Sequence, residues 1–131
     1  MREIREVIFR GKRTDNGEWV KGYLYITHIG AHEIGSYDAE INIERFTFDV
    51  IPETVGQFTG LTDKNGVRIF EGDIVSLVKH DSLIYKVVYV PCRYELVNSK
   101  GVNCFVLDIY KSENIEVIGN IHDNPELLQK I

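Results

Sequence analysis

Along most of this chain apolar and polar positions alternate with a period of two, the pattern of strands that bury one face. Residues 4–10 read as a first strand with Val7 and Phe9 on one face. Asp15-Asn16-Gly17 turns it, and residues 19–26 run back to complete a β-hairpin. Residues 27–45 hold glycines at 30 and 35, three acids between Glu33 and Glu40, and only a weak alternation at Ile41 and Ile43. That pattern predicts a long loop with at most a marginal hairpin. Phe46, Phe48 and Val50 alternate with Thr47 and Asp49, a strand that Pro52 ends because proline cannot donate to a ladder.

The run from Gly56 to Val75 is the densest turn chemistry in the chain. Asp63-Lys64-Asn65-Gly66 offers a tight reversal, Asn65 tolerating and Gly66 adopting a positive φ. Gly72-Asp73 breaks the chain again before the β-branched Ile74-Val75, so a short connecting piece is expected to lead into a strand. A phosphate loop is excluded: the G-x-x-x-x-G-K-[ST] spacing is missing and no helical pattern follows the glycines.

Beyond it, residues 74–79, 83–90, 93–97, 102–110 and 115–121 read as five strands, separated by turns at Asp81-Ser82, Pro91 and Asn98-Ser99-Lys100-Gly101. Residues 83–90 are apolar on both faces, as a central strand should be. Phe105, Leu107 and Ile109 share a face in the fourth of these strands. Five short strands at this spacing predict a small barrel. Asn124 as N-cap, Pro125 in the first turn and Glu126 beside the positive end predict a short C-terminal helix. Its Leu127, Leu128 and Ile131 form one apolar stripe able to dock on the barrel or on a second copy.

Candidate chemistry is sparse. Trp19, Tyr23 and Tyr25 have the same parity in one strand, with Lys21 among them. Packing of that face within the fold is the plainer account; an oligomer interface or a base-stacking platform is the alternative. His28 and His32 stand four apart, but Gly30 and Gly35 argue against the helix that would let them share a metal, and the ligand set is short. His80-Asp81 and His122-Asp123 read as turn residues, as do Glu71 and Asp73. No Ser or Cys lies in a nucleophile motif.

Composition changes this picture only a little. With 131 residues, 44% hydrophobic and 27% charged, the chain is an ordinary globular one. A net charge of −5 makes duplex DNA a poor partner, since phosphates are bound by Lys and Arg. Arg2, Arg5, Arg10, Lys12 and Arg13 crowd the beginning and read as a solvated strand edge. The opening residues show no leader pattern and no apolar run spans a bilayer, so a cytoplasmic protein without membrane attachment is expected. Cys92 and Cys104 are expected as buried thiols rather than a disulfide.

Three segments together resemble the YopX family of small phage and prophage proteins. They are Phe9-Arg10-Gly11-Lys12-Arg13 with Asp15-Asn16-Gly17-Glu18-Trp19-Val20 and Gly22; Phe58-Thr59-Gly60-Leu61-Thr62-Asp63-Lys64-Asn65-Gly66 with Ile69-Phe70-Glu71-Gly72-Asp73-Ile74-Val75; and Ile115-Glu116-Val117-Ile118-Gly119-Asn120-Ile121 with Asn124-Pro125-Glu126-Leu127-Leu128. The resemblance implies a β-rich fold with a small SH3-like barrel in the C-terminal half, a phage context and self-association, and it carries over no catalytic residue. The expectation is therefore a mainly β chain, with an N-terminal β-hairpin lobe over residues 1–60 and an SH3-like barrel with a short C-terminal helix over residues 61–131. Its expected role is a non-enzymatic binding and assembly module, without metal or cofactor, whose partners are itself and an unidentified phage or host protein. The candidate interface residues are Trp19, Tyr23, Tyr25, Leu127, Leu128 and Ile131. The alternative is a weak single-stranded nucleic-acid binder, made demanding by the acidic net charge.

Overall fold

The computed structural model describes residues 6–36, 47–78 and 83–129. The chain is mainly β with almost no helix, and its strands form two antiparallel sheets. It divides into two compact units, Met1–Phe58 and Thr59–Ile131.

In the first unit β1 (Phe9–Lys12), β2 (Trp19–Ile26), β3 (His32–Ser36) and β4 (Thr47–Asp49) follow one another in the ladder, and β5 (Gly56–Thr62) pairs on the other side of β1. The first hairpin forms as its turn residues predict, with Lys12 opposite Trp19 and Phe9 opposite Gly22. The first strand begins later than its alternation suggests: Val7 is exposed, Ile8 is buried, and residues 1–5 lie outside the described residues. The expected loop at 27–45 is corrected in part. A tight reversal at Thr27–Ala31 sends the chain back as β3, in register with β2 from Ile26↔His32 to Gly22↔Ser36. The remainder of that stretch, with Phe46, lies outside the described residues.

A single bridge, Arg13↔Val50, brings the residues after β4 onto the end of β1, flanked by bonds from Ile51 N to Lys12 O and from Thr14 N to Asp49 O. The sheet thereby curls round Ile34 and Val50 without closing as a ladder. Gly11 stands inside that curl. A Cβ there would lie 3.1 Å from Val50 Cβ and 3.2 Å from Ile34 Cδ1.

The second unit takes over the end of β5, which turns at Asp63–Gly66 into β6 (Arg68–Phe70). A five-stranded sheet follows from β7 (Asp73–Leu77), β8 (Leu83–Val90), β9 (Arg93–Val97), β10 (Asn103–Val106) and β11 (Ile115–Asn120), in the order β10-β9-β8-β7-β11. Val75, Leu77, Tyr85, Val87, Leu96 and Ile115 share its core face with Ile69 and Leu107. The apolar run of β8 is central, as read, between β7 and β9. Closure is not: β10 and β11 both remain edges, each carrying a register shift, so the unit is an open sheet and not a closed barrel.

Three local expectations fail for identifiable reasons. The fourth predicted strand stops at Val106, because Asp108 caps a helical turn, α1 (Ile109–Ser112), by accepting from Lys111 N at 2.9 Å. Pro125–Gln129 is a 3-10 turn instead of an α-helix. There Asn124 does not act as N-cap; its Oδ1 accepts from Asn120 N at 3.2 Å, back toward β11. Cys92 is exposed rather than buried, in the turn between β8 and β9, with φ of +73°.

The dense turn run contains two buried carboxylates. Asp63, 6% exposed, accepts from Asn65 N (2.8 Å) and Val67 N (2.9 Å) through Oδ1. Its Oδ2 accepts from Val117 N at 3.0 Å, a residue 54 positions later. One side chain thus shapes the β5–β6 turn and pins it to β11, helped by the Lys64 N to Ile115 O bond. Asp73, 1% exposed, accepts from Phe70 N at 2.7 Å and closes the turn into β7. Between them Gly72, at φ of +91°, donates to Val87 O and accepts from Ile121 N.

Replacing Asp63 by Ala should lower unfolding stability by about 2–4 kcal/mol, because three backbone N–H groups lose the buried carboxylate that accepts from them. Urea unfolding should show the midpoint fall, whereas an unchanged midpoint would refute the tie. Gly119→Ala places a Cβ 2.6 Å from Asn124 Oδ1. It should cost about 1–3 kcal/mol, as overpacking typically does, and Asn124→Ala in the same chain should recover part of that loss.

Candidate interaction surface

Residues directly opposite each other in an antiparallel ladder project to the same side of the sheet. On the face of the first unit opposite Gly11, Ile34 and Val50, one row runs Tyr25–Glu33–Asp49 and the next Tyr23–Gly35–Thr47. Two further rows are Lys21–Arg10 and Trp19–Lys12. The three predicted aromatics therefore do share one outward face of β2. Tyr23 is 49% and Tyr25 43% exposed, while Trp19 is half-buried.

Trp19 is held under two cations, with Arg10 Cζ 4.9 Å and Lys12 Nζ 5.5 Å from the ring centroid. Tyr25 lies across a neighbouring glycine: a Cβ on Gly35 would stand 3.0 Å from its Cε2. A ring laid over a strand glycine covers backbone that would otherwise meet water. The sign of charge changes across the face. Arg10, Lys12 and Lys21 stand on the β1 side, and Glu33 and Asp49 stand side by side on β3 and β4. Neither acid meets a cation among the described residues. Like charges directly opposite in a ladder oppose its pairing.

The other sequence candidates are placed apart from this face. Leu127 and Leu128 are half-buried on the 3-10 turn, which lies against β8, and Ile131 lies outside the described residues. His28 is exposed in the β2–β3 reversal, and His32 Nδ1 lies 3.1 Å from Gly30 O, so the pair spans a hairpin and not a helix. No three His, Cys, Asp or Glu side chains gather at metal-binding distance among the described residues. Asp73 Oδ2 accepts from the Phe70 N–H. His80-Asp81 lies outside the described residues, and His122 N donates to Asn120 Oδ1 in a turn.

One aromatic pair escaped the sequence reading. Tyr89 and Tyr94 are cross-strand partners with centroids 5.4 Å apart, edge to face. The signal was available in the alternation, but it required the β8–β9 register. Burial pushes the Tyr94 phenol above its ordinary range, and the charges of Glu71 and Tyr89 add to this.

A family model described as YopX protein matches residues 8–129. Among solved structures, the crystal structure of protein EF1440 from Enterococcus faecalis is similar to this chain. It has 25% sequence identity and a TM-score of 0.60, over 95% of this chain and 99% of that one. No curated protein matches the sequence.

Because the Tyr94 phenol is raised in the folded state, its contribution to stability is complete below the ordinary phenol range and is lost as pH rises through the folded value. Alkaline spectrophotometric titration should resolve a late-ionising tyrosine that Tyr94→Phe removes. Persistence of that component in the variant would count against the assignment.

Proposed function

The chain belongs to the YopX family, and from that premise we propose that it is a cytoplasmic phage or prophage protein acting as a non-catalytic binding and assembly module that associates with copies of itself. The observation that carries this reading is the outward face of the first unit, where Tyr23 and Tyr25 stand exposed between charges of opposite sign. Aromatic side chains with flanking charges are what interfaces use.

The sheet edges are the weaker route to association. β4 and β6 are three residues long, and β10 and β11 carry register shifts that disturb the row of free N–H and C=O groups. Leu127 and Leu128 have a smaller part, being half-buried in a turn that rests on β8. A non-catalytic role is supported by how two of the three acids buried among the described residues are used: Asp63 and Asp73 both accept from backbone N–H groups, while Glu95 pairs with Arg93. The five-stranded unit has the strand number of a small SH3-like barrel opened between β10 and β11, and such scaffolds hold partners as readily as substrates.

The second reading, a single-stranded nucleic-acid platform, draws on Arg10, Lys12 and Lys21 beside Trp19. Against it stand the net charge of −5 and the stacking of Trp19 against its own cations. Light scattering over a range of concentrations should give a mass above the 15.1 kDa of one chain, and Tyr23→Ser with Tyr25→Ser should return it toward one chain. A mass of one chain at every concentration would refute self-association. Salt-dependent binding of an oligonucleotide with a steep slope would favour the second reading.

A further inference from the structure

We infer that the occupant of this face is a second copy of the same face, turned about a two-fold axis through the tyrosines so that the β1 side of each copy meets the β3–β4 side of the other. This rests on the self-association proposed above and adds its geometry. Three observations carry it. First, the face is divided by sign, with Lys12 and Lys21 on one side of the tyrosines and Glu33 and Asp49 on the other. An isologous interface requires such self-complementarity, because each patch must meet the patch related to it by the two-fold axis.

Second, Glu33 and Asp49 are direct cross-strand neighbours that meet no cation among the described residues. A like-charge pair held there weakens the isolated sheet, and a cation from outside would relieve the repulsion. Third, the centre of the face is aromatic and exposed at Tyr23 and Tyr25, so the part of the patch that would lose water is its least polar part. Under the two-fold rotation Lys12 and Lys21 of one copy face Glu33 and Asp49 of the other, and the tyrosines of both meet at the axis. A chain of net −5 can approach itself by this route, because the local charges complement each other even though the total repels.

The geometry makes a requirement that other interfaces do not. Two full-length variants test it: Glu33→Lys with Asp49→Lys, whose face is wholly cationic, and Lys12→Glu with Lys21→Glu, whose face is predominantly anionic with Arg10 its remaining cation. By sedimentation each alone should dissociate at least about tenfold more readily than the parent, since like charges are then juxtaposed. An equimolar mixture should recover the mass of the parent assembly, now composed of unlike chains. Circular dichroism confirms that each variant is folded, and for the unaltered protein added salt should weaken association. If both variants assemble like the parent, the chain self-associates through another surface and this inference is overturned while the proposed function stands. If the parent itself is one chain at every concentration, both fall. If the Lys12→Glu with Lys21→Glu variant loses oligonucleotide capture while its mass is unchanged, the face belongs to a polyanion and the inference is overturned.

Discussion

The second unit depends on one carboxylate whose two oxygens serve two distant parts of the chain. Asp63 Oδ1 builds the turn that follows β5, and Oδ2 receives the backbone of β11. A buried carboxylate is tolerated only where its acceptor capacity is met, and here backbone N–H groups meet it, with no ion pair to it among the described residues. The β-sheet is thereby joined by a bond that is not part of its ladder. Asp73, Gly72 and the Asn120–Asn124 loop repeat the same device on a smaller scale, each satisfying backbone polar groups where strands end. These are the residues that make the chain recognisable. They mark the fold, which explains how a family can be defined by its motifs while none of them points to a reaction.

Function must then be sought where the motifs are silent, and the sheet of the first unit shows this division. Its inner side is fixed by volume: Gly11 leaves no space beside Ile34 and Val50. Its outer side is tight only where Tyr25 crosses Gly35, and it bears exposed tyrosines and a like-charge pair that folding alone does not require. The two sides of one ladder obey different rules, close packing on one and exposed aromatics with separated charge on the other.

Much of the architecture could be read from alternation alone. The five-stranded sheet of the second unit and the strand from Trp19 to Ile26 follow the period-two rule, because each strand has a single buried face or is buried on both. Where reading failed, a polar or glycine-bearing stretch was stabilised by partners the local pattern cannot show. β3 contains Gly35, which looks like loop until Tyr25 is laid across it. β5 has the glycines of a turn, and pairing with β1 makes a strand of it. The terminal segment has helical signals, but Asn124 is drawn back toward β11 and the turn tightens. The shared face of Trp19, Tyr23 and Tyr25 is legible as parity on β2; the neighbouring acids are not, since they come from two other strands and meet only through the register.

The reach of the Asp63 side chain also bears on how the protein is made. Its third hydrogen bond is to Val117, and β7 waits for the same segment as its second neighbour. A ribosome delivering the chain from its first residue would release β5 through β10 before that strand arrives. The second unit therefore matures late in synthesis, and until then it carries a bare edge and an acid without its full set of donors.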